Sequence, residues 1–128
     1  GLVFFGTVAN HLFAVEIDTG LARWQFKTGN GVRSSPAIAE GSIFFGSWDG
    51  NLYSVDIKTG SEKWRFETGD RIWSSPAIAE TTVFIGSDDG NLYAVDKDTG
   101  MEKWRFRTGG WVTSTPRRDR WCGLLWKL

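Results

Sequence analysis

Three groups of residues in this sequence are of types that could do chemistry. Asp88-Asp89-Gly90-Asn91 opens like a calcium-binding loop, with two carboxylates and an amide around a glycine that permits a tight turn. The later ligands of that motif are missing, and a hard cation wants about six or more converging oxygens, so the stretch reads as a hairpin turn. His11, the only histidine, has a side chain that exchanges protons near neutral pH. It takes the place that Asn51 and Asn91 hold in two similar stretches further along, beside a turn, and no serine and carboxylate complete a nucleophilic set around it. Cys122 is the only cysteine, which excludes an internal disulfide and any multi-cysteine metal site. No phosphate-cradling glycine loop occurs. Catalytic residues and metal ligands are therefore both assigned as none.

The elements that must position any site follow from an internal repeat. Residues 1–40, 41–80 and 81–120 superpose without a gap at a period of 40, and share the pattern Gly46, Leu52, Val55, Thr59, Gly60, Trp64, Phe66, Thr68, Gly69, Ser74 and Pro76. Within the second repeat, Ser42 to Ser47 reads as a strand and Asp49-Gly50 as its hairpin turn. A second strand runs from Asn51, with Leu52, Ser54 and Asp56 on one face and Tyr53 and Val55 on the other, as the period of two requires. Lys58-Thr59-Gly60 turns the chain into Glu62 to Glu67, an outermost strand with Trp64 and Phe66 on one face. A loop then leads to Ser74 to Ala79, whose small and apolar residues suit a crowded inner strand, with Pro76 at its start where a missing amide proton is tolerated. Four short strands per repeat define an all-β fold, a β-propeller fragment of about three four-stranded antiparallel blades.

The stretches Ala14 to Trp24, Ser54 to Trp64 and Ala94 to Trp104 each read small residue, any residue, acidic residue, two residues, Thr-Gly, three residues, Trp. This resembles the tryptophan-docking motif of the PQQ-type (pyrroloquinoline quinone) repeat propellers, a family that takes in quinoprotein alcohol dehydrogenases, the barrel-assembly lipoprotein of the bacterial outer membrane and other envelope proteins. The resemblance implies structural roles for Trp24, Trp64 and Trp104, with Gly20, Gly60 and Gly100 in the motif, as packing between neighbouring blades. It also implies a periplasmic, cell-envelope or extracellular location. In the family's dehydrogenases the quinone lies on one rim over the central channel, near a calcium-type ion, with an aspartate base and often a disulfide of adjacent cysteines. This chain has no adjacent cysteines, and only Asp70 and Asp88 stand where oxygen ligands could be recruited. No cofactor is expected in this chain; PQQ and a calcium-type ion enter only if it is a slice of such an enzyme.

In a four-stranded meander, the loop entering the inner strand and the turn joining the second and third strands lie on one rim. The turn Asp-x-x-Thr-Gly, on the opposite rim, hardly changes between repeats. On the first rim Val8, Trp48 and Asp88 correspond, as do Gly31, Arg71 and Trp111, and Arg33, Trp73 and Thr113. Residues that differ among otherwise similar blades cannot all be fold requirements, so Arg33, Trp48, Asp70, Arg71, Trp73, Asp88 and Trp111 form the candidate ligand- or partner-binding rim, tryptophan and arginine being common interface anchors. Drift on solvent-exposed loops is the competing reading.

The 128 residues are 41% hydrophobic, and fifteen basic side chains balance fifteen acidic ones, so no net field favours nucleic acid or an anionic membrane. No apolar run approaches the roughly 20 residues that span a bilayer. The sequence starts with neither a methionine nor a signal peptide, inside the second strand of a blade. Residues 1–116 carry the repeats, and residues 117–128 break them: after Pro116 the expected Ala-Ile-Ala-Glu is replaced by Arg117-Arg118-Asp119-Arg120. Pro116 to Leu128 can be encoded so that omitting one base after the proline codon restores Ala-Val-Thr-Gly-Gly-Val-Val-Tyr-Phe-Gly-Ser, which aligns with residues 37–47. Trp121 and Trp126, whose codons allow no choice, then force glycines at the equivalents of Gly41 and Gly46. Residues 117–128 are thus expected to be a frameshift product. About three blades cannot close a ring, so the expected partners are the remaining blades of a longer parent chain, head-to-tail copies of this one, and a protein ligand. Two functions follow: a non-catalytic propeller scaffold, or a slice of a quinoprotein dehydrogenase whose catalytic residues lie outside this chain.

Overall fold

The computed structural model describes residues 1–118. The expected frameshift segment lies, from Asp119 onward, outside the described residues.

Each repeat yields strands where apolar and polar residues alternate, and turns where glycine or an Asx side chain takes over. The first sheet holds β1 (Leu2–Gly6), β2 (His11–Glu16) and β3 (Ala22–Lys27). The second holds β4 (Ala37–Ala39), β5 (Ser42–Gly46), β6 (Asn51–Asp56) and β7 (Glu62–Glu67); the third holds β8 (Ala77–Ala79), β9 (Thr82–Gly86), β10 (Asn91–Asp96) and β11 (Glu102–Arg107). Strand order follows chain order and every pairing is antiparallel, so each sheet is a meander with β4 or β8 innermost and β7 or β11 outermost. No helix occurs among the described residues, and hence none long and apolar enough to cross a membrane. Along the free edge of β1, where β4 and β8 lie in the other sheets, runs a groove of about 580 Å³ lined by Leu2, Phe4, Gly6, Val32 and Ile38 among others.

The inner strand is shorter than its sequence suggests. Only Ala77–Ala79 pairs, while Ser74, Ser75 and Pro76 stay irregular. Pro76 has no amide proton to donate, and Ser74 replaces ladder bonds with its side chain: Gly86 N donates to Ser74 Oγ at 2.9 Å and Ser74 Oγ donates to Gly86 O at 3.0 Å. Ser34 does the same at Gly46. The segments before the inner strands are linked from blade to blade, Ser35 N donating to Ser75 Oγ at 2.7 Å and Ser75 N to Thr115 Oγ1 at 3.2 Å.

The core lies in the seams between blades rather than within any one of them. Leu12, Phe4, Trp24 and Phe26 of the first blade close on Ile43, Phe45, Tyr53 and Val55 of the second. The opposite face of the second blade, with Phe44, Leu52, Trp64 and Phe66, closes in turn on Val83, Ile85, Tyr93 and Val95 of the third. A strand meander is apolar on both faces here because both faces meet a neighbour.

Candidate functional site

The outer strands carry Trp24 and Trp64 into the seams. Each pairs across the ladder with a small residue, Ala14 or Ser54, and a register shift follows immediately. The indole then reaches the next blade: Trp24 Nε1 donates to Ile57 O and Trp64 Nε1 to Lys97 O, both at 3.0 Å. The rings lie against Gly60 and Gly100, where a Cβ would meet them at 2.7 and 2.6 Å. Both glycines have positive φ, 77° and 76°, so lack of a side chain and freedom of backbone are required at one position. The turns are held by Asp56, whose Oδ1 accepts from Lys58 N and Thr59 N, and by Asp96 in the same way. Those amide bonds keep the Asp56 carboxyl below the usual carboxylate range. Gly20 has the same backbone but nothing within 4 Å, and Trp104 is 48% exposed.

On the opposite rim, the β5–β6 and β9–β10 turns interlock with the loop of the preceding blade. Trp48 N donates to Gly31 O and Asp88 N to Arg71 O, both at 2.8 Å. This places five of the seven rim candidates together. The Trp48 and Trp73 ring centroids are 4.5 Å apart. Arg33 Cζ lies 4.4 Å from the Trp48 centroid, and Arg71 Cζ stands 5.5 Å from Trp48 and 5.8 Å from Trp73. Trp73 Nε1 donates to Asp88 Oδ2 at 2.9 Å, and Arg71 Nε stands 3.5 Å from the same oxygen. Two guanidinium groups thus flank a pair of indoles, an arrangement favoured by the negative ring faces. Asp88 is buried, with one oxygen engaged; its Oδ1 and the Trp48 Nε1 have no hydrogen-bond partner among the described residues. Arg33 is exposed and forms no ion pair among them.

The other two candidates lie on the rim but outside this group. Asp70 turns back on its own loop, its Oδ1 accepting from Arg71 N at 2.7 Å. Trp111 is 69% exposed and lines a shallow pocket of about 270 Å³ with Asp88, Arg107 and Gly110.

One rim element was not legible as such. Asp49 Oδ2 accepts from Gly29 N of the preceding blade at 2.9 Å and from the Tyr53 hydroxyl, while its Oδ1 accepts from Asn51 N. Asp89 repeats the arrangement with Gly69 and Tyr93. Burial works against the Asp89 charge, but the hydrogen bonds from Tyr93, Gly69 and Asn91 together hold its carboxyl below the usual range. Burial, and then the Asp89 carboxylate, push the Tyr93 hydroxyl up to about 12. The signal was the Asp-Tyr spacing, present at 49/53 and 89/93 and replaced by Ala9 and Phe13 in the first repeat. His11 sits at the side of this turn, its Nδ1 2.8 Å from Ala9 O.

These residues do not fit a calcium-type ion with a quinone above it. Asp89 is committed to the Gly69 amide and Tyr93, Asp88 Oδ2 is committed to Trp73 and Arg71 while its Oδ1 stands alone, and no three His, Cys, Asp or Glu side chains converge among the described residues, fewer oxygens than a hard cation wants. The Trp48 ring is covered by Arg33.

Antiparallel four-stranded meanders, repeated at fixed period and joined by aromatic seams, are the blades of a β-propeller. The family model described as outer membrane protein assembly factor BamB matches residues 1–76 and 66–120, and the chain belongs to that family of PQQ-like repeat propellers. BamB from Moraxella catarrhalis is similar over 83% of this chain and 33% of its own, at 28% identity and a TM-score of 0.74. A quinohemoprotein alcohol dehydrogenase from Comamonas testosteroni matches 84% of this chain and 19% of its own at 25% identity and a TM-score of 0.75. A europium-containing methanol dehydrogenase, at 22% identity and a TM-score of 0.75 over 85% of this chain and 23% of its own, shares the fold alone. The chain thus spans a third or less of the length of these structures. No curated protein matches it.

Proposed function

We propose that this chain is a non-catalytic propeller module that binds a protein through the rim centred on Arg33, Trp48, Arg71, Trp73 and Asp88. One observation carries the reading. Positions that differ from repeat to repeat converge across the seam between two blades into one cluster, with Trp48 and Trp73 4.5 Å apart. Drift of exposed loops has no reason to produce partners. Trp24 and Trp64 serve as the docking residues of the seams. Membership in a family described by outer membrane protein assembly supports a protein ligand in the cell envelope as the partner. The blades that would complete the ring are further partners.

A slice of a quinoprotein dehydrogenase is the second reading, favoured by the likeness to a quinohemoprotein alcohol dehydrogenase at 25% identity. Against it, Asp89 is committed within the seam and Asp88 has only one oxygen left over.

The test replaces Arg33 with a photo-crosslinking residue and irradiates the chain in a cell-envelope extract. A discrete protein adduct that disappears with Trp73→Ala is the expected result. Separately, the purified full-length parent receives PQQ and calcium ion, and dye-linked alcohol oxidation is followed. Cofactor-dependent turnover overturns the scaffold reading in favour of the second.

A further inference from the structure

We propose that Asn30 is a modification site, converted to aspartate by attack of the Gly31 backbone nitrogen on its side chain, and that this conversion adds a carboxylate to the rim. The proposal goes beyond the rim reading and does not rest on it.

Asn30-Gly31 is the only Asn-Gly step in the sequence; Asn10 precedes His11, and Asn51 and Asn91 precede leucine. A glycine has no Cβ to shield its amide nitrogen from the preceding side chain. The structure brings the two groups together: Asn30 is exposed, Gly31 is buried, and Gly31 N donates to Asn30 Oδ1 at 2.8 Å. That oxygen is bonded to Cγ, so the contact that orients the side chain also holds the nitrogen beside the carbon it must attack. Gly31 N has no other acceptor among the described residues. Rotation about Cβ–Cγ, a soft torsion in an exposed asparagine, turns the carbonyl face toward the nitrogen. The main chain is meanwhile fixed, because Thr28 Oγ1 and Ser47 Oγ donate to Asn30 O and Trp48 N donates to Gly31 O at 2.8 Å.

Asn30 lies in the seam between the first and second blades, and its equivalent Asp70 in the seam between the second and third, so both stand in seams internal to the chain. Asp70 is exposed in the same way. It also shows the product in place: its Oδ1 accepts from Arg71 N at 2.7 Å, and Thr68 Oγ1 and Ser87 Oγ donate to its carbonyl at 2.9 and 3.2 Å. An aspartate therefore fits this loop with the bonds that Asn30 makes.

The step balances without a cofactor. Hydroxide takes the Gly31 N–H proton, the nitrogen bonds to Asn30 Cγ, and the bond from Cγ to the side-chain nitrogen breaks, ammonia leaving with a proton from water. Water then opens the five-membered imide. Opening at Cγ restores the main chain and leaves aspartate. Opening at the Asn30 carbonyl carbon leaves isoaspartate, which lengthens the main chain where Ser47 and Trp48 hold it. Water is taken up, ammonia is released, and nothing is oxidised. The new carboxylate is ionised at neutral pH. It enters the loop that carries Arg33, in a rim group where two arginines stand against one aspartate, and offsets that positive excess.

The purified full-length parent, incubated at mildly alkaline pH and digested with trypsin beside an unincubated control, tests this. Cleavage after Lys27 and Arg33 releases residues 28–33. Progressive replacement of this peptide by one heavier by the exchange of NH2 for OH is expected, faster as pH rises, while the peptides carrying Asn10, Asn51 and Asn91 keep their mass. The folded protein should convert at least as fast as a synthetic peptide of residues 28–33, because the loop holds the reacting groups together. Asn30→Gln, whose longer side chain would have to close a larger ring, should abolish the conversion. Asn30→Asp should keep the urea midpoint of the parent. No conversion, a rate well below that of the free peptide, equal conversion at Asn51 or Asn91, or a large loss of stability in Asn30→Asp overturns the proposal.

Discussion

Trp73 Nε1 donates to Asp88 Oδ2 at 2.9 Å, and by this bond an indole of the loop joining β7 to β8 takes up one oxygen of a buried carboxylate fifteen residues later, on the β9–β10 turn. Trp73 also stacks on Trp48 of the preceding blade. Trp73→Phe keeps a ring for that stacking and removes the donor, leaving Asp88 with Arg71 at 3.5 Å. A cost of about 1–3 kcal/mol follows from leaving a buried acceptor short of its partner. Urea unfolding monitored by far-ultraviolet circular dichroism reads it; no change in the midpoint would show the bond to be incidental.

Ser54 Oγ is buried without a hydrogen-bond partner among the described residues, at the small-residue position that faces Trp64. The equivalents Ala14 and Ala94 show that a methyl group suits the site. Ser54→Ala should raise stability by about 1 kcal/mol, because an unsatisfied hydroxyl is removed without opening a cavity. A lower urea midpoint would contradict this.

Gly60 and Gly20 share a positive φ, but a Cβ on Gly60 would meet the Trp24 ring at 2.7 Å and one on Gly20 would meet nothing within 4 Å. Gly20→Ala should therefore cost only the left-handed backbone strain of about 1–2 kcal/mol. Gly60→Ala should cost clearly more and should shift the fluorescence of Trp24 toward that of an exposed indole. Equal costs would mean that the seam gives way freely.

The Asp89–Tyr93 pair sets two pH limits. The folded Asp89 carboxyl lies below its usual value, so the stability it contributes is present above the unfolded carboxylate pKa and is lost as pH falls through the folded one, in the acid range below about 4. The Tyr93 hydroxyl is raised to about 12, so its contribution is complete below the unfolded value near 10 and is lost as pH rises from there toward 12. Urea midpoints measured across both windows should fall at each end, and Asp89→Asn with Tyr93→Phe should make both limbs shallower, the alkaline remainder belonging to Tyr53, which is raised in the same way beside Asp49. Limbs of unchanged steepness in the double variant would assign them to other groups.

Arg33 stacks on the Trp48 ring without an ion pair among the described residues. Arg33→Ala should cost about 0.5–1 kcal/mol, the scale of an exposed cation–π contact, and uncover that ring to acrylamide. A quenching constant unchanged from the parent protein would place the guanidinium elsewhere in solution.

The blades themselves were legible from local pattern. Alternation at Leu52 to Asp56, the Asp49-Gly50 turn and the recurrence of Trp24, Trp64 and Trp104 are near-neighbour or periodic signals, and they specified the strands, their order and the rim on which the loops gather. The inner strand starts directly after Pro76 rather than at Ser74, because Ser74 bonds to Gly86 through its side chain where a ladder would have run. Among the rim residues, chain position could place Arg33, Trp48, Asp70, Arg71, Trp73, Asp88 and Trp111 on one side but could not say which would touch. That depends on how far each loop leans over its neighbour, which is decided by Trp48 N bonding Gly31 O and Asp88 N bonding Arg71 O between blades. Hence Asp70 folds back and Trp111 stays apart while five others meet. The Asp49 bond to Gly29 escaped for the same reason: a carboxylate in a hairpin dipeptide looks local until a neighbouring blade brings an amide to it. Sequence by itself determined the unit and its repetition, since both follow from spacing along the chain; the tertiary structure alone decided the seams, since contacts between blades depend on distances that no periodicity encodes.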